Sequence, residues 1–187
     1  MQTLEELRAT GIARLGIVPW ADGFLAHLAK APRYPGHVNS RPRQGIWHNA
    51  MADVVRAPDF LDYAKSFTTT AGEYFGEPAH LWSLNAFYTD HTTPHIPSIH
   101  GWHKDREASK ILVLFKFGTD TYMDGAQLLD NGHAIESICG PKGTAWLADT
   151  THEHCGRIPA YPRTLVWARF ANCVPQAKTE EQLPDIP

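Results

Sequence analysis

The sequence predicts a mainly β domain with N-terminal helices, a double-stranded β-helix (jelly roll). Three observations lead there. Apolar residues recur at helical spacing only as far as Phe75. From Leu81 onward the chain changes texture, into short apolar or alternating runs cut by Asn, Asp, Gly and Pro. No internal repeat and no linker interrupts the 187 residues, so 1–174 read as a single domain and 175–187 as a polar C-terminal tail. Helices followed by many short strands suit two packed sheets with the helices laid against one of them.

Taken in order, Thr3 to Glu6 has the form of a capping box, and Leu4, Leu7 and Ala9 continue it as a short helix. Gly11 to Val18 alternates loosely and reads as a first strand. Phe24, Leu25 and Leu28 then recur at helical spacing. Ala31 to Gly45 is rich in Pro, Gly and Arg and reads as a long loop. Residues 58–75 read as one further helix with Phe60, Leu61, Ala64 and Phe67 on one side; the threonine run 68–70 weakens its later part, and Gly76 ends it. Leu81 to Tyr88 alternates as a strand, and a loop of Pro, His and Thr covers 89–99. Ile111 to Phe117 is a buried strand. Shorter strands follow over 126–129, 134–139, 144–147 and 164–171, with turns at Asp130–His133 and Pro141–Gly143.

Composition narrows the function classes. A formal net charge of −3 gives no basic field for nucleic acid. The three cysteines (Cys139, Cys155, Cys173) are odd in number and form no C-x-x-C, which suits a reducing compartment. The N-terminus lacks a basic-then-apolar signal pattern, and no apolar run reaches membrane-spanning length. The expectation is a cytoplasmic protein with no membrane partner; its oligomeric state leaves no mark in the sequence.

The densest chemistry lies at His100–Asp105. His103 and Asp105 are two residues apart, which on an extended chain points both side chains to one face. An imidazole nitrogen and a carboxylate oxygen there make two legs of a metal site, and a returning strand can bring the third. Two histidines and one carboxylate on one face of an octahedron bind non-haem Fe(II) and leave positions open. The eleven histidines offer several third legs. His152 and His154 are both within reach on one extended segment. His91, His95 and His100 precede the pair, but Pro94 and Pro97 argue against a helical zinc site and make them loop residues near the mouth of a pocket. H-x-D by itself is a weak signal.

Together, H-x-D at His103 and Asp105, a histidine about fifty residues on at His154, and Arg163 nine beyond that resemble the Fe(II)/2-oxoglutarate-dependent oxygenase superfamily. The likeness covers Leu81 to Phe170. Gly143 to Gly156 resembles the second-histidine strand of phytanoyl-CoA-dioxygenase-like members. His154 to Arg163 is equally similar to small proline-hydroxylase-like members, so the branch stays open.

The resemblance implies that His103, Asp105 and His154 form the catalytic centre and hold Fe(II). It implies that Arg163 holds the distal carboxylate of 2-oxoglutarate, with O2 as co-substrate. The resulting dioxygenase would hydroxylate a C–H bond of a small, polar substrate. Asp105 itself favours hydroxylation over halogenation, because the family's halogenases lack that carboxylate. Elementary chemistry agrees at Arg163, since a guanidinium fork matches a carboxylate bidentately and keeps its charge.

Gly156, which follows His154 as in the family, favours it over His152. The usual spacing favours Arg163 over Arg169, although Arg169 falls on the same strand face. Asn85 and Tyr88 are expected to line the cofactor pocket, with Trp102 and Gln127 near it. Ala31 to Met51, with Arg33, Tyr34, Arg41, Arg43, Trp47 and His48, offers a lid. Cys155 reads as a buried thiol. Two other functions fit the same residues: a cupin-type metal enzyme that does not use 2-oxoglutarate, and a ligand-binding jelly roll without catalysis.

Overall fold

The computed structural model of the chain describes residues 2–38, 41–57, 59–89, 92–96, 100–105, 111–118, 127–158 and 162–172; at 36–38, 41–45, 51, 111–118 and 127 it describes the backbone. In chain order the elements are α1 (Gln2–Thr10), β1 (Ile12–Ile17), α2 (Ala21–Lys30), β2 (Arg33–Val38), β3 (Arg41–Asn49), α3 (Met51–Arg56), α4 (Phe60–Ser66) and α5 (Thr68–Phe75). There follow β4 (His80–Thr89), β5 (Ile111–Gly118), β6 (Gln127–Asp130), β7 (Ile135–Ile138), β8 (Thr144–Asp149), β9 (Glu153–Gly156) and β10 (Arg163–Ala171).

The strands make two antiparallel sheets, one of seven in the order β1-β8-β5-β10-β4-β3-β2 and one of three in the order β7-β6-β9. This is the expected jelly roll. Alternation along each strand splits the core in two. Leu84 and Ala86 on β4, Val166, Ala168 and Phe170 on β10, and Ala145 and Leu147 on β8 face the helices, meeting Leu7, Phe24, Leu28, Phe60 and Phe75. Phe24 and Phe60 stand edge to face at 4.9 Å. The opposite parity on β8, Trp146 and Ala148, meets Ile12, Leu129 and Ile138 between the sheets.

Four expectations need correction. Thr3 lies inside α1 and not at its cap, and the Glu6 carboxylate instead accepts the Arg14 main-chain N–H at 3.4 Å. Ala31 to Gly45 is no loop: β2 and β3 form a hairpin that extends the large sheet past β4. Pro35 is tolerated because β2 is the edge strand and its ladder shifts register between Pro35 and His37. The proposed lid is therefore sheet, and the side chains of Arg41 and Arg43 fall outside the described ones.

The long helix over 58–75 is two helices, broken at Phe67 (φ −93, ψ 0), where the β-branched run Thr68–Thr70 begins. A further helix, α3, precedes them and buries Val54. Gly76 does close α5, at φ +75, with its N–H donating to the Gly72 carbonyl at 2.9 Å. No helix among the described residues is long and apolar enough to cross a membrane. Cys173 and the 175–187 tail lie outside the described residues.

Candidate metal centre

Three side chains from two distant segments meet between the sheets. The ligand-capable atoms of His103, Asp105 and His154 all lie within 4.8 Å of one another. The backbone sets this up. His103 and His154 form an antiparallel bridge, each N–H donating to the other's carbonyl, at 3.0 and 2.8 Å. Asp105, two residues on, donates its N–H to the Thr150 carbonyl at 3.0 Å. The H-x-D segment thus lies along the edge of β9 and the turn before it, which directs His103 and Asp105 to His154.

Hydrogen bonds also choose the nitrogen that faces the cluster. His103 Nδ1 is 2.8 Å from the Gly101 carbonyl and His154 Nδ1 is 3.0 Å from the His152 carbonyl. A carbonyl only accepts, so each Nδ1 carries the proton and each Nε2 carries the lone pair. Two imidazoles oriented through a carbonyl, plus one carboxylate, are a donor set that fits a divalent first-row ion such as Fe(II). His154 is 7% exposed. The rings of His103 and His154 are 4.3 Å apart.

His152 takes another place. It sits in the turn before β9, not on the strand, so its direction is not that of His154. Its ring lies against Gly11, where an added Cβ would come within 3.0 Å of it, and its Nε2 is 3.9 Å from Asp149. Asp149 holds that turn. One carboxylate oxygen accepts the Thr151 N–H at 2.9 Å and its hydroxyl at 2.6 Å; the other accepts the Tyr74 hydroxyl at 2.6 Å. Burial first, and this bond to Asp149 second, push the Tyr74 phenol well above its ordinary range. The sequence pattern marks Asp149 as a fixed position without giving it a role, and it does not mark Tyr74. Asp149 sits inside the Gly143–Gly156 pattern, but nothing near Tyr74 announces a partner 75 residues away.

Arg163 opens β10 on the face that looks toward the small sheet, directly opposite Thr89 on β4. It is 5% exposed, and burial lowers its guanidinium to about 10, still fully charged at neutral pH. Its Nη2 donates to the Arg157 carbonyl at 3.4 Å. His100 is close enough to feel it. Burial first, then His95, then Arg163, hold the His100 pKa below the ordinary histidine value. The neutral ring accepts the Ile96 N–H at Nδ1, 2.8 Å away.

Arg169 shares the face of Arg163, with its guanidinium 5.7 Å from the Trp82 ring and 5.9 Å from that of Trp167. Asn85 is also on this face, opposite Trp167, and its amide reaches the Ser83 hydroxyl at 3.4 Å.

Tyr88, expected beside Asn85 in the pocket, is on the other side of β4. It pairs with Thr164 and Trp47, not with Arg163, and Arg33 lies over its ring at 4.3 Å. An odd sequence separation between 85 and 88 puts their side chains on opposite faces. Trp102 is 45% exposed. Cys155 faces away from the metal side of β9, opposite Leu128, and burial pushes its thiol up. His91 and the Gln127 side chain lie outside the described residues.

By sequence the chain matches no protein-family profile and no curated protein. By structure it resembles an oxidoreductase of the 2OG-Fe(II) oxygenase family from Burkholderia pseudomallei, with 15% identity and TM-score 0.64 over 91% of this chain and 90% of that one. It also resembles the non-heme α-ketoglutarate-dependent epimerase SnoN from nogalamycin biosynthesis, with 13% identity and TM-score 0.67 over 99% and 89%. A third is HygX from Streptomyces hygroscopicus, solved with nickel and 2-oxoglutarate bound, with 12% identity and TM-score 0.61 over 98% and 90%. The chain therefore has the double-stranded β-helix fold of the 2-oxoglutarate/Fe(II) oxygenases.

Proposed function

We propose that this protein is an Fe(II)- and 2-oxoglutarate-dependent dioxygenase that hydroxylates a C–H bond of a small molecule. One observation carries the reading: His103, Asp105 and His154 converge within 4.8 Å, with Arg163 buried on the same inner side of the fold. His103 and His154 would bind the ion through Nε2, and Asp105 through its carboxylate. Arg163 would hold the far carboxylate of 2-oxoglutarate. Lowering the local dielectric by burial strengthens that pairing, and about 10 for its pKa keeps the charge in place. Bound Fe(II), with the keto acid and O2, supplies the oxidant that takes a hydrogen from the substrate. Asn85, on the inner face, would complete the wall of the cofactor pocket.

Hydroxylation is the outcome that the carboxylate at Asp105 favours. SnoN, a structural neighbour, is an epimerase. The test is anaerobic addition of Fe(II) and 2-oxoglutarate. The expected result is a visible charge-transfer band that His103→Ala, Asp105→Ala and His154→Ala each abolish, followed by succinate release in air with a substrate. A metal enzyme that does not use 2-oxoglutarate would keep full activity in Arg163→Met. A binding protein without catalysis would take up no stoichiometric iron.

A further inference from the structure

The inner face of the seven-stranded sheet is arranged in rows that run across the strands. Arg163 is level with Thr89 and Ile46. The next row holds Leu165, Phe87, His48 and Tyr34, and the row after it Trp167 and Asn85. Along the second row the rings touch in series, Tyr34 to His48 at 5.9 Å and His48 to Phe87 at 6.2 Å. Phe87 then stacks on Trp167 at 4.5 Å and 18°. With strands about 4.8 Å apart, the row runs about 14 Å from edge strand β2 to β10, the strand of Arg163.

Two features separate this row from core packing. On the other face of the same strands, Leu84, Ala86, Val166, Ala168 and Phe170 are at most 1% exposed. On β4 and β10 the ring-bearing face is the more open one, with Phe87 and Trp167 only partly buried; toward the sheet edge both faces open, with Tyr34 46% exposed on this face and Trp47 40% on the other. The charge is also one-sided. Arg163 lies one row to one side and Arg169 lies beyond Trp167, whereas no described residue of these rows is Asp or Glu.

We propose that this row is the substrate wall of the enzyme, and that the substrate is a flat aromatic molecule, neutral or anionic. Its rings would lie on His48, Phe87 and Trp167, entering past Tyr34 at the sheet edge, with one end delivered beside the Arg163 strand. Stacked and tilted rings give a flat π-surface many apolar contacts with little ordering cost. With Arg163 paired to 2-oxoglutarate, the Arg169 guanidinium beside Trp167 is the charge that favours an acid over an ammonium compound. The inference rests on the oxygenase reading above and adds the substrate class to it.

The test titrates the protein loaded anaerobically with Fe(II) and 2-oxoglutarate, by calorimetry. The probes are benzoate, 2-naphthoate and anthracene-2-carboxylate, their fully saturated counterparts, and 2-naphthylmethylammonium. At least one aromatic acid is expected to bind ten times more tightly than its saturated counterpart, and the ammonium compound not at all. Phe87→Leu and Trp167→Leu should each weaken that aromatic acid about tenfold while 2-oxoglutarate affinity stays within twofold.

Trp167→Phe should recover most of the loss, and Tyr34→Ala, at the exposed end and tolerant of change, should cost about threefold. Equal binding of flat and saturated acids, no binding by any aromatic acid at millimolar concentration, or variants that bind like the parent would each overturn the proposal. If the charge-transfer band itself fails to form, the oxygenase reading falls; if the band forms and flatness makes no difference, only the aromatic wall falls.

Discussion

The two ends of the space between the sheets are built from opposite materials. At the β1–β8 end, Ile12, Leu129, Ile138, Trp146 and Ala148 close a small apolar core. Beyond it stand polar groups that are costly to bury unless partnered: His103, Asp105 and His154 along β9 and the turn after β8, and Arg163 and Asn85 on the inner face of β10 and β4 beside the aromatic row. The boundary is a single cross-strand pair, because Leu129 on β6 lies directly opposite His154 on β9. The apolar end anchors the small sheet, which frees the polar end to hold groups that contribute little or nothing to stability. Selection for folding and selection for chemistry thus act on different residues of one interior.

Substitutions can break or sharpen this division. The largest effect is expected at the triad, where His154→Ala should eliminate stoichiometric Fe(II) binding, measured by metal content after desalting. Its melting temperature without metal should stay close to that of the parent protein. Next, Arg163→Met should weaken 2-oxoglutarate about a hundredfold, roughly 2.7 kcal/mol, in an anaerobic titration of the absorption band. Leu129→Ala is the mirror case. It should cost about 3 kcal/mol in chemical denaturation, as a buried leucine truncation does. At a denaturant-free temperature well below its melting point it should still bind metal, more weakly because His154 loses its cross-strand neighbour.

Tyr74→Phe is subtler. It removes one donor to Asp149 and should cost about 1 kcal/mol in stability, with a modest loss of metal affinity through the turn that carries Thr150 and His152. The smallest effect concerns pH. The folded His100 has a pKa below the ordinary histidine value, so the unfolded chain takes up the proton first as pH falls. Its contribution to stability is complete above that value and is lost below it, so the melting temperature should drop between about pH 7 and about pH 5, with a shallower slope in His100→Asn.

Much of this architecture was legible because parity is legible. The alternation in Leu81–Tyr88 predicts β4, the short strand-like run Thr164–Ala171 predicts β10, and the apolar run at Ile111–Phe117 predicts β5. The β2–β3 hairpin was hidden because Pro35, Gly36, Pro42 and Gly45 are turn-formers by propensity; β2 is the edge strand, and Pro42 and Gly45 precede the Ile46–His48 stretch where β3 pairs with β4. The break at Phe67 was half legible: Thr68–Thr70 weakens the later part of the helix, but Phe60, Ala64 and Phe67 keep helical spacing up to the break.

Within the site, the spacing of His103 and Asp105 carries local information about a shared face. What places His154 beside them is a pair of main-chain bonds between segments about fifty residues apart, which no local pattern encodes. Tyr88 shows the converse. Its odd separation from Asn85 puts the two side chains on opposite faces of β4.

The bridge between His103 and His154 has a consequence for how the protein breathes. Each histidine's amide proton is locked in a bond to the other's oxygen, so neither can trade with deuterium unless that seam opens. An ion gripped by both imidazoles would fasten the seam from the side-chain direction as well. Deuterium uptake at these two amides would then slow when iron is added, giving a clock for occupancy that runs without turnover and without any substrate.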